Sequence, residues 1–98
     1  MKAVFVAYNQ ALTEAVNTIL DRHNIRGYTK WADVHGRGTH DGEPHFGTHT
    51  WPAMNSVILT FTEDEQVEPL LESLKKLDAK AEQQGLRTFV WNVDEQQV

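Results

Sequence analysis

Two helical stripes, each lying between β-rich runs, leave this chain few ways to fold. Lys2 to Tyr8 is a short apolar run bounded by Asn9-Gln10, the pattern of a buried central strand. Leu12, Val16, Ile19 and Leu20 then recur at helical spacing, with Thr13, Asn17 and Asp21 on the other side and Asn9 placed to cap. Gly27 gives the chain freedom to reverse, and Tyr28 to Val34 alternates as a second strand. Val57 to Phe61 is a third strand, rich in β-branched and aromatic residues. Thr62 stands three residues before Glu65, a capping-box spacing that opens a second stripe of Val67, Leu70, Leu71, Leu74 and Leu77. Pro69 lies inside that stripe and predicts a late helix start or a kink, because proline has no N–H to donate. Gly85 ends the helix. A last strand runs from Arg87 to Val93, with Phe89, Trp91 and Val93 on one face and Thr88, Val90 and Asn92 on the other.

The order is therefore βαββαβ. Two right-handed crossovers place both helices on one face of a four-stranded antiparallel sheet, an α+β arrangement of the ferredoxin-like kind. At 98 residues the chain is expected to be one domain, residues 1–98. Trp31, Phe61 and Trp91 or their neighbours must face away from the helices. A sheet with two apolar faces requires a partner, so an oligomer is expected.

Charge and composition exclude several classes. The formal net charge of −5 offers no long-range attraction to phosphate backbones, and no basic run offsets it, so nucleic acid is not an expected partner. The absence of cysteine removes disulfides, thiolate metal sites and cysteine nucleophiles. Met1-Lys2 leads into Ala3–Ala7, too short an apolar run for a signal-peptide core or a membrane span. The expectation is a cytoplasmic protein without direct membrane insertion.

Function points to the segment between the second and third strands. A tight hairpin needs two to five residues, whereas this connection runs from His35 to Asn55. Long connections of this kind are usually functional or disordered. It holds four of the six glycines (Gly36, Gly38, Gly42 and Gly47) and four of the five histidines, His35, His40, His45 and His49. Imidazole is the commonest ligand for zinc, copper and nickel, so a divalent transition metal is one candidate ligand, with Asp41 and Glu43 as oxygen donors. His45 and His49 have a spacing that shares a helical face, but Gly47 between them argues against a helix. Solvated loop histidines are the plain alternative. Gly36-Arg37-Gly38 after a strand would let backbone N–H groups approach an anion, although such a pair also serves a simple turn. A catalytic His40 or His49 with Asp41 is a third reading, and it lacks an activated nucleophile. Trp51-Pro52 closes the segment, with Trp51 suited to pin the returning chain or to stack on a ring.

Four stretches taken together resemble the PII signal-transduction family. They are Ile25-Arg26-Gly27-Tyr28-Thr29, Val34-His35-Gly36-Arg37-Gly38, Asp64-Glu65-Gln66-Val67 and Arg87-Thr88-Phe89-Val90, in order and in spacing along nearly the whole chain. The resemblance implies a cytoplasmic homotrimer of ferredoxin-like subunits without catalytic activity. The 35–55 segment would be the family's T-loop, which reaches a protein target such as a membrane transporter or an enzyme. An adenine nucleotide would lie between subunits, with Gly27 and Thr29 near the base and Gly36, Arg37 and Gly38 near the phosphates. Arg87 stands where the family has a lysine, still a cation suited to phosphate. The CutA proteins, trimeric relatives by fold with a metal-tolerance association, are the neighbouring possibility, with the loop histidines as ligands.

Overall fold

A computed structural model of the chain describes residues 1–36, 54–80 and 85–97. Strand β1 (Lys2–Asn9) passes through a single 3-10 turn (Gln10–Leu12) into helix α1 (Thr13–Arg22). Strands β2 (Thr29–Val34) and β3 (Asn55–Thr62), helix α2 (Asp64–Lys80) and strand β4 (Arg87–Asn92) complete the order. The strands form one antiparallel sheet in the order β2-β3-β1-β4. This is the ferredoxin-like α+β architecture expected from the alternation of periods.

The core lies between the sheet and the two helices. Val4, Val6 and Tyr8 of β1 and Ile58 of β3 meet Val16, Ile19 and Leu20 of α1 and Leu70 and Leu74 of α2. Leu86 and Ile25 close the two crossovers, and Val90 packs at the margin. The other sheet face carries Ala3, Phe5 and Ala7 beside Val57, Leu59 and Phe61 on one side and Arg87, Phe89 and Trp91 on the other. There Trp31 (46%), Phe61 (53%), Phe89 (58%) and Trp91 (48%) keep about half their surface exposed in the single chain. Phe5 and Phe89 stack at a tilt with ring centroids 6.3 Å apart. An apolar face of this extent is a contact surface awaiting cover.

Several local details depart from the sequence expectations. The first crossover turns at Asn24, in the left-handed region with φ 58°, rather than at Gly27. Asparagine tolerates that conformation, and Gly27 instead offers its carbonyl to the Thr60 hydroxyl at 2.6 Å. Helix α2 begins at Asp64, so the capping pair shifts by one residue. The Gln66 side-chain oxygen accepts the Glu63 backbone N–H at 3.1 Å, and the buried Thr62 hydroxyl has no hydrogen-bond partner. Pro69 neither delays nor divides the helix, which is continuous from Asp64 to Lys80. Pro69 and Glu65 both lie on the exposed side, so water can serve the carbonyl that Pro69 leaves without a donor. Gly85 takes φ 72° and leads the chain into β4.

Tyr8 carries a testable consequence. Its side chain is fully buried and its hydroxyl has no hydrogen-bond partner. Burial raises its pKa above the ordinary value, an effect that the nearby Thr13 and Ser56 hydroxyls soften. A phenol with a raised folded pKa stabilises the fold below the unfolded value of about 10 and loses that contribution as pH rises through the folded value. Tyr8→Phe removes a buried hydroxyl whose contacts with Thr13 and Ser56 do not outweigh its burial. We expect it to be neutral or stabilising by about 1 kcal/mol near neutral pH, and to weaken less than wild type between pH 8 and pH 11 in urea melts.

Candidate functional site

The end of the sheet at which β1 and β2 finish and β3 begins is built around one side chain. Asn9 accepts the Ala11 backbone N–H at 2.9 Å, and the Thr13 hydroxyl donates to the Gln10 carbonyl at 2.7 Å. These two bonds hold the turn that presents Gln10. The Gln10 backbone N–H donates to the Met54 carbonyl at 2.9 Å, fastening the β3 stem of the long connection. The Gln10 side-chain amide donates to the Asp33 carboxylate, fastening the β2 stem. Asp33 lies in a bulge, where the register with β3 shifts between Trp31 and Val34, and it adopts φ 59°. A β-bulge bends the strand, so Gln10 holds β2 at its bulge, one residue before Val34 pairs again with Asn55.

Gly36 sits just beyond, and its glycine identity has a steric cause. A Cβ there would fall on the side-chain amide of Asn55, the first residue of β3. A side chain at this position would force the Asn55 amide aside.

The nucleotide candidates divide between the two edges of the sheet. Gly27 and Thr29 lie at the start of edge strand β2 and Gly36 just past its end, whereas Arg87 begins the opposite edge strand β4. Trp31, Val57, Ala7 and Arg87 form one cross-strand row, so Arg87 stands three strand spacings, about 14 Å, from the β2 edge. One subunit does not bring these residues together. Gly27, Thr29 and Arg87 are exposed, and Arg87 donates to the Leu86 carbonyl at 3.0 Å.

Arg37, Gly38, His40, His45 and His49 lie outside the described residues, as do Asp41, Glu43 and Trp51. His35 is exposed at the β2 stem. Among the described residues no group of histidine and carboxylate side chains is arranged to hold a metal. Sequence reasoning passed over Gln10, Asp33 and Asn55. The only signal was the polar Asn9-Gln10 break after β1, which marks the end of a strand as readily as a clamp.

The family model of nitrogen regulatory protein P-II matches residues 1–98, and the chain belongs to that family. CPII from Thiomonas intermedia K12, bound to ADP and bicarbonate, is 26% identical with a TM-score of 0.73 over 92% of this chain and 82% of that one. The same protein bound to ADP, AMP and acetate is 25% identical, with a TM-score of 0.71 over 91% of this chain and 81% of that one. A Thermus thermophilus protein described as PII-like shares the fold at 21% identity and a TM-score of 0.67, covering 94% of this chain and 85% of that one. No curated protein matches the chain in sequence. Among the described residues no helix is long and apolar enough to cross a membrane.

Replacing Gln10 by Ala removes the side-chain hold on Asp33 and leaves the backbone bond to Met54. Hydrogen exchange should accelerate about two- to tenfold at Val34 and His35, matching the loss of one exposed hydrogen bond, with little change at Val57 and Ile58. Equal acceleration on both strands would contradict a side-specific clamp.

Proposed function

We propose that this chain is a homotrimeric, non-catalytic regulator that binds an adenine nucleotide between subunits. It conveys the bound state through the 35–55 segment to a protein target, a membrane transporter or an enzyme, in the cytoplasm. The observation that carries this reading is the division of the candidate residues between opposite sheet edges. Gly27 and Thr29 lie at the start of one edge strand, Gly36 past its end, and Arg87 begins the other edge strand, so a site that draws on both edges takes residues from two subunits. The uncovered apolar face of Trp31, Phe61, Phe89 and Trp91 supplies the contact surface for such an assembly. The family membership and the ADP-bound relative support the nucleotide.

The chemistry of the residues suits that ligand. Gly36 and Gly38 allow backbone N–H groups to approach phosphate oxygens, and Arg37 and Arg87 supply charge and paired donors. Regulation requires that the nucleotide bind one stem arrangement better than another. Gly36 lies directly against Asn55, the first residue of β3. A phosphate held at Gly36 would therefore act beside the start of β3.

Light scattering and calorimetry test the proposal together. The chain should elute at three times the monomer mass and bind ADP, with AMP and bicarbonate as companion titrants. Arg87→Ala and Gly36→Ala should each weaken ADP by about tenfold or more, the scale of one charge-assisted or sterically blocked contact. A monomeric mass for wild type would overturn the intersubunit site, and undiminished ADP binding in both variants would overturn the residue assignment. Phe89→Glu combined with Trp91→Glu should reduce the trimer to monomers and abolish ADP binding with it, since buried charge without a partner is not tolerated at an apolar contact.

A further inference from the structure

We propose that the groove between α1 and α2 docks an acidic peptide segment of a partner protein. The groove has a volume of about 330 Å³, with Ile19 and Leu77 in its floor, Ser73 on its wall and Arg22, Lys76 and Lys80 around its rim. It lies on the helical layer, on the side of the sheet opposite the exposed aromatic face, so covering that face does not cover it.

Its charge is the unusual feature. The chain has 14 acidic against 9 basic residues, yet three cations and no carboxylate line this groove. Arg22, Lys76 and Lys80 are exposed, and none forms an ion pair among the described residues. Arg22 and Lys80 end their helices and so complement the helix dipoles. That explanation does not extend to Lys76, a full turn earlier. Lys76 and Lys80 stand four residues apart on one face and repel each other, and only Lys76 has a carboxylate, Glu72, one turn before it at the favourable spacing.

The groove suits one kind of occupant. An open cleft with flexible cations at its rim is poorly made to enclose a free small anion, which needs converging, desolvated donors. A nucleic acid or an anionic membrane would meet, over a wide area, the net −5 charge of the chain. A short acidic segment spans the groove alone and meets less of that repulsion. Carboxylates at i and i+4 match Lys76 and Lys80, a further carboxylate reaches Arg22, and an apolar side chain rests on Ile19 and Leu77. The wall is held in place across the helices, because the His23 ring lies 2.8 Å from the Ser73 hydroxyl in a hydrogen bond between the α1 cap and α2.

This inference does not depend on the nucleotide reading, and its test reads a different surface. The probe is a short acetylated, fluorescein-labelled peptide with glutamates at i and i+4 and leucines on the opposite stripe, titrated into the full-length chain. Its lysine-for-glutamate counterpart serves as the control. Anisotropy should show saturable binding of the acidic peptide alone, weakening as salt is raised. Lys76→Glu with Lys80→Glu, both exposed changes, should weaken it about tenfold or more, while Lys76→Arg with Lys80→Arg retains it. Amide shifts should fall on Ile19, Ser73 and Leu77. The proposal is overturned if the acidic peptide does not bind, or if the charge-reversed protein binds it equally. It is also overturned if the shifts map to the β2 and β3 stems, or if inorganic phosphate alone reproduces the shifts and displaces the peptide.

Discussion

Strand β1 is hydrogen-bonded along both edges, to β3 from Lys2 through Asn9 and to β4 from Lys2 through Ala7. Its two faces are both committed. Val4, Val6 and Tyr8 enter the core under the helices, and Ala3, Phe5 and Ala7 lie on the outer face. A slip of one residue would exchange these sets, driving Phe5 towards the helices and Tyr8 out of the core. Because both neighbouring strands take their register from β1, the same slip would carry Asn55 away from Asn9 and Arg87 away from Ala7. The loop stem and the basic residue at the far edge are therefore positioned by packing at the centre of the sheet.

That arrangement leaves one unsatisfied face and one weakly held edge. Strand β2 has no buried side chain; it is joined to the fold through β3, through the Gln10 contact at one end and through the Thr60–Gly27 bond at the other. Exposed apolar surface and an open strand edge are both liabilities for an isolated domain. The proposed assembly would cover the outer face and, where a β2 edge meets a β4 edge, the open strand edges as well. In this reading the site and the oligomer have the same physical origin.

The order of elements was legible because hydrophobic period changes cleanly along the chain, from alternation to helical spacing and back. Strand ends were less so. Residues Val57 to Phe61 carry the apolar signal of β3, but main-chain pairing extends it to Asn55 and Thr62, whose side chains give no such signal. Gly27 suggested a reversal because glycine permits positive φ, yet Asn24 performs it, since a residue's tolerance of a conformation does not show that it adopts it. Of the site, the Gly36 lead-in was readable as a glycine pattern, and its cause, the close approach of Asn55, was not. Gln10 and Asp33 were invisible for a related reason: their contact joins residues far apart in sequence, and nothing local in either marks it.

The two bonds made by Gln10 differ in kind, and the difference determines which way the stem can yield. The bond to Met54 is main chain to main chain, beside the paired end of β3, so breaking it disturbs the sheet. The bond to Asp33 is an exposed contact between two side chains, which water replaces at small cost. Asp33 also sits in a bulge with φ 59°, a conformation that becomes less favourable once its side chain loses its partner. Released from Gln10, the β2 stem has a local reason to relax while the β3 stem does not. A ligand held at Gly36, as proposed, would thus act on the stem that is easier to move. Differential binding between two stem arrangements needs such an asymmetry, because a connection fastened equally at both ends would offer a ligand only a choice between intact and broken pairing.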